Sequence, residues 1–179
     1  MKKIVFSALA CLTLAGSAFA GHEMVRSSGK ETKGTVAPEP CFREHELQLD
    51  VFASYTGTQG GGYSDGFGGG IGVNYFFTNM IGFGVDGNVF DGEVNGVWDT
   101  TARIFVRFPI ESACIAPYLF AGGGAEADGE VNWTAHAGGG LEWRASRSIG
   151  VFGEGRYTWV EGDANNDSAQ ARLGVRFVF

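Results

Sequence analysis

The feature that most restricts this chain is its period. From Glu46 to the last residue, apolar side chains recur at every second position along eight stretches, with glycines, amides and charged residues between them. Only extended backbone sends successive side chains to opposite faces. The closing stretch, "ARLGVRFVF", puts Ala171, Leu173, Val175, Phe177 and Phe179 on one face and Arg172, Gly174, Arg176 and Val178 on the other. It stops on an aromatic residue, with no charged tail. One strand of this kind suits a soluble sandwich as well as a membrane barrel, so the choice rests on the other seven.

Those seven run near 46–56, 66–77, 80–90, 97–108, 115–126, 131–144 and 149–160. In six of them the faces separate cleanly; Ile81, Phe83, Val85 and Val89, for example, oppose Gly82, Gly84, Asp86 and Asn88. In 115–126, Leu119, Ala121 and Gly123 alternate with Tyr118, Phe120 and Gly122, which leaves the choice of face open. Eight strands of about ten residues match a small membrane β-barrel in strand number and length. Tyr55, Phe67, Phe77, Trp98, Phe108, Trp133, Trp143, Tyr157, Trp159, Phe177 and Phe179 lie on the apolar face, mainly near strand ends, where two interfacial girdles belong. The opposite face carries Asp50, Asp86, Glu142 and Glu154 beside Arg103, Arg107, Arg156, Arg172 and Arg176. In lipid each would cost about 2–4 kcal/mol near the midplane, so these residues point inward and neutralise one another. Folding neighbouring strands on each other brings Asp86 near Arg103 and Glu154 near Arg172. An eight-stranded interior is only wide enough for its own side chains, so the lumen is filled by charge.

The N-terminus sets the compartment. "MKKIVFSALACLTLAGSAFA" has Lys2 and Lys3, an apolar run and the small-x-small site Ala18-Phe19-Ala20, which reads as a secretory signal peptide over 1–20. Cys11 comes too early in the run to favour lipidation. No later window supplies the roughly 20 continuous apolar residues of a helical span. Cleavage near Gly21 takes the formal net charge from −7 to −9, because residues 1–20 hold two lysines and no acid. A strongly acidic exported chain is a poor nucleic-acid binder. Residues 21–44 lack periodicity, cluster Ser, Lys, Glu and Pro, and read as a flexible periplasmic N-terminal extension. Residues 45–179 form the barrel domain.

With the signal peptide, the eight runs, "PYLFAGGGA", "AGGGLEWRASRSIGVFGEGRYTW" and the closing "RFVF" in view, residues 45–179 resemble the small eight-stranded outer-membrane barrels of Gram-negative bacteria, of the outer-membrane-protein A and X or opacity-protein type. The resemblance implies an all-β, antiparallel, up-and-down transmembrane barrel in the cell outer membrane. Its partners would be outer-membrane lipids, lipopolysaccharide and the assembly machinery, which would recognise Phe177 and Phe179. The connectors here are shorter than the protruding loops of adhesive members. The expected role is structural, in envelope integrity, in a monomer without cofactor; binding or adhesion through the loops is the alternative, and a lipid A-modifying enzyme a weaker one.

Catalytic and ligand motifs are sparse. "GFGVDG" at 82–87 fits a glycine fingerprint but lies inside an alternating strand with no helix after it. The glycine clusters at 68–70, 122–124 and 138–140 relieve crowding in a narrow barrel. His136 points inward with no serine or cysteine at a matching level, so it reads as an interior histidine and not a general base. His22 and His45 have no partner at metal-ligand spacing. Asp65, Asp91, Glu93, Glu126, Asp128, Glu130, Glu161, Asp163 and Asp167 are assigned to loops at one end, as solvated acids or as bridges through divalent cations to lipopolysaccharide phosphates. Cys41 and Cys114 remain in the mature chain. Barrel topology brings Cys41 and the connector "PIESACIAP" to the same periplasmic mouth, in an oxidising compartment, so a disulfide strapping the extension over that end is expected.

Overall fold

The computed structural model describes residues 40–58, 66–90, 97–127, 131–161 and 167–179. The alternating runs form eight strands: β1 Glu46–Thr58, β2 Gly66–Phe76, β3 Ile81–Phe90, β4 Val97–Arg107, β5 Ile115–Ala127, β6 Val131–Arg144, β7 Ile149–Val160 and β8 Ser168–Val178. Each pairs antiparallel with the next, and β8 pairs with β1, so the sheet closes on itself. Closure leaves no strand edge, the condition for carrying backbone through lipid. Tight turns assist it. The Thr78 hydroxyl accepts from the Met80 and Ile81 amides, and the Ser146 hydroxyl from those of Ser148 and Ile149. The terminal Phe179 amide donates to the Leu47 carbonyl at 2.9 Å, so the last residue is tied to β1.

Register fixes which inward residues meet. Starting at Glu46, the paired row passes through Phe76, Gly82, Phe105, Phe120, Gly138, Arg156 and Gln170 and returns to β1 at Thr56, ten residues further along. Such a stagger tilts the strands and sets the width of the bore.

The polarity is the reverse of a soluble core. The largest fully buried side chains include Arg103, Arg107 and Arg176, while Phe67, Trp98, Trp133, Leu119 and Leu173 are all more than 60% exposed. So broad an apolar exterior requires lipid around it. The open question in β5 resolves with Tyr118 and Phe120 inward and Leu119 outward. Besides the outer girdles, Phe52, Phe76, Phe105, Tyr118, Phe120 and Phe152 are buried inside the bore, Phe52 and Phe152 on the face that alternation gives to the polar residues. On β5 the inward glycines allow close approach of β4. A Cβ on Gly122 would lie 2.0 Å from the Ala102 carbonyl oxygen, and one on Gly124 would lie 2.1 Å from that of Thr100.

Two assignments change. Glu126 is not a loop acid; it lies within β5, faces inward and is buried, because the strand runs on to Ala127. The final residues of the segment assigned to the flexible extension are seated, with Phe42 at 1% exposure, because aromatic burial and a disulfide hold them. The rest of that extension and the 1–20 segment lie outside the described residues, as do Asp65, Asp91, Glu93, Asp128, Glu130 and Asp163.

Candidate functional site: the charged lumen

Inward charges gather in two tiers. The tier nearer Cys41, at what we call the strapped end, is built from β1, β4, β6 and β8. Arg176 grips Asp50 through Nε and Nη2, both at 2.7 Å, and reaches Glu142 with Nη1 at 2.6 Å. Asp50 and Arg176 sit directly opposite across the β1–β8 closure. Asn74 Nδ2 also donates to Asp50, at 2.7 Å. Glu46 accepts from Arg107 Nη1 at 3.0 Å and Arg144 Nη2 at 2.5 Å, and Arg144 Nε closes the circuit onto Glu142. These are charge-assisted bonds, the strongest class of protein hydrogen bond.

The second tier lies towards the far end. Arg103 pairs with Asp86 (3.1 Å) and with Glu154 across the bore (2.7 Å). Arg172 also contacts both, at 2.9 and 3.4 Å, and Arg156 pairs with Asp99. Against both tiers packs an aromatic cluster of Phe76, Phe105, Tyr118 and Phe120. Arg107 stacks over Phe76 at 3.8 Å and Arg103 over Phe105 at 4.6 Å, so the guanidinium planes use the ring faces that water would otherwise meet. The Tyr118 hydroxyl donates to Glu154 at 2.8 Å and ties the cluster to the second tier.

All nine residues assigned to interior ion pairs, Asp50, Asp86, Arg103, Arg107, Glu142, Glu154, Arg156, Arg172 and Arg176, are buried and paired in these tiers. Glu46, Asp99 and Arg144 join them; the parity of their strands was the available signal. Cys41 and Cys114 form a disulfide with Cα atoms 5.5 Å apart. Phe177 and Phe179 face outward. His136 is 2% exposed beside Phe120, and neither ring nitrogen has a hydrogen-bond partner. His45 Nδ1 lies 3.1 Å from the Tyr75 hydroxyl at the strapped rim. Asp167 receives the Tyr157 hydroxyl and the Val160 amide, both at 3.2 Å. Among the described residues, no group of three or more His, Cys, Asp or Glu is placed to hold a metal ion.

The tiers also differ in how completely they are satisfied. At the strapped end the unpartnered buried atoms are Gln48 Oε1, Asn74 Oδ1 and Arg144 Nη1. Among the described residues the far half carries more buried atoms without a hydrogen bond, on Asn88, Thr101, Arg103, Thr134, His136, Arg156, Thr158 and Arg172, although some of the arginine nitrogens lie in ion pairs.

No protein-family model matches the sequence, and no curated protein matches it significantly. Solved structures do. The N-terminal β-barrel domain of Pseudomonas aeruginosa OprF is 16% identical, with a TM-score of 0.63 over 76% of this chain and 99% of that one. Ail, the attachment invasion locus protein of Yersinia pestis, is 15% identical with a TM-score of 0.57 over 76% and 99%. A designed transmembrane β-barrel scores 0.56 at 17% identity over 76% and 98%. A designed chain shares no ancestry with this one, so likeness at such identities is likeness of fold. Closed antiparallel sheet, apolar exterior and charged bore together give this chain the fold of the eight-stranded outer-membrane β-barrels.

Proposed function

We propose that the protein is an integral, non-enzymatic barrel of the outer membrane that contributes to envelope integrity and conducts no ions. The supporting observation is the filled bore: two tiers of buried ion pairs, with an aromatic cluster packed against both, occupy the path a solute would take. In this reading the strapped end faces the periplasm. The apolar belt contacts outer-membrane lipid and lipopolysaccharide, the Phe177 and Phe179 ending is read by the assembly machinery, and the barrel acts as a monomer. Lipid A chemistry is disfavoured because His136, the histidine within the described strands, is buried inside the barrel beside Phe120, away from any lipid ester. Purified protein in planar bilayers should give no stable unitary currents, and large steady currents would overturn the proposal.

A second reading, attachment through the far-end loops, draws on the likeness to a protein named for attachment and invasion. Deleting residues 162–167 would then abolish adherence to a surface while leaving barrel assembly intact. Unchanged adherence removes this reading.

A further inference from the structure

We propose that the Cys41–Cys114 disulfide is a redox modification site, and that its reduction by a thioredoxin-like dithiol unseats Phe42 from the strapped mouth of the barrel. The inference needs only the fold and does not depend on the role proposed above. Residues 41–45 turn into the mouth ahead of β1. Phe42 is buried there between two guanidinium groups, those of Arg107 and Arg144, each 5.0 Å from its ring centre. The noncovalent ties on the segment include one at its C-terminal end, where His45 Nδ1 lies 3.1 Å from the Tyr75 hydroxyl. The Cys41 amide donates to the Glu111 carboxylate at 2.7 Å, the Arg43 amide donates to Glu46 at 3.3 Å, and the Arg43 carbonyl accepts from Arg107 Nη2 at 3.0 Å. The disulfide is the one covalent link from this cap to the β4–β5 connector.

The backbone at both ends of the strap points the same way. Among the described residues, the non-glycine positions with positive φ are His45, at 54°, and Cys114, at 51°. His45 is the hinge between the cap and β1, and Cys114 is the anchor. Left-handed backbone at a residue with a Cβ persists where its surroundings enforce it. Cutting the strap removes the covalent part of that enforcement, leaving His45 with its Tyr75 contact and Cys114 with the Glu111 and Arg144 backbone bonds; relaxation of His45 towards extended backbone then swings residues 41–44 out of the mouth. The cut is chemically accessible, since both cysteines are only half-buried. One thiolate of the dithiol attacks a cysteine Sγ, the protein S–S bond breaks and a mixed disulfide forms. The second thiol of the reagent then displaces the remaining protein thiolate. The protein gains two electrons and two protons as a pair of thiols, and the dithiol leaves as its own disulfide. The Glu46–Arg107–Arg144 cluster beneath Phe42 then meets water.

The test uses the mature full-length protein folded in lipid vesicles, with and without dithiothreitol, read by amide hydrogen exchange. Reduction should speed exchange at Cys41, Phe42 and Arg43 at least tenfold while leaving β7 unchanged, and a Cys41→Ser variant should match the reduced protein. If that variant does not fold, reduction of the already folded wild type still decides. Equal protection in both redox states, or a disulfide that resists the dithiol until the barrel is denatured, overturns the proposal.

Discussion

The two charge tiers hold the same chemistry in different architectures. At the strapped end Asp50 is gripped by a single arginine in a two-pronged contact and supported by an amide. In the far tier Asp86 is shared by Arg103, Arg172 and, more distantly, Arg156, and Asp99 has Arg172 within 3.9 Å as well as Arg156. Asp50 depends on one arginine, whereas the far-tier aspartates, like Glu46 and Glu142 in the strapped tier, are shared between two or more. Removing one partner of a buried pair leaves an uncompensated charge, so the penalty depends on whether a neighbour can take over. The Asp50–Arg176 contact of the strapped tier should therefore be brittle and the far tier tolerant.

The largest effect should come from Arg176→Met. It strands Asp50 and weakens Glu142, and urea titration in lipid vesicles, followed by heat-modifiable gel migration, should show a loss of about 3–5 kcal/mol. Arg156→Met, the matched change in the far tier, should lose no more than about 2 kcal/mol because Arg172 remains beside Asp99. Equal losses would erase the distinction between the tiers. His136→Leu sharpens it further. Exchanging an unpartnered buried imidazole for an apolar side chain should stabilise the barrel by about 1 kcal/mol, and a loss of that size would show that water satisfies the ring. The smallest effect belongs to Gly155→Ala. No atom lies within 4 Å of the added Cβ, so stability should stay within about 0.5 kcal/mol in the same titration.

Lipid outside and a charged bore inside impose opposite polarities on one strand, and that opposition is why the fold was legible. Arg172 and Arg176 could not share a face with Leu173 and Val175, so parity assigned nearly every side chain. It failed in β5, where Leu119 and Tyr118 are both apolar enough for either face, and the registry with Arg107 and Gly140 decides. Pairs between adjacent strands, Asp86 with Arg103 and Glu154 with Arg172, follow from folding neighbours together. Contacts across the bore do not. Arg103 on β4 meets Glu154 on β7 only because of the ten-residue stagger, a property of the closed sheet and of no single segment. Phe42 was invisible for a different reason: it is a lone aromatic in a polar stretch, and nothing in its surroundings marks it as buried until the barrel mouth is formed.

The central claim is that the alternating exterior faces lipid. Membrane fractionation of cells expressing the native protein, combined with gel migration before and after boiling, tests it most directly. The protein should sediment with the outer membrane, resist extraction by alkaline carbonate, and migrate faster unboiled than boiled. Recovery in the soluble periplasmic fraction, with migration unchanged by heat, would contradict the account.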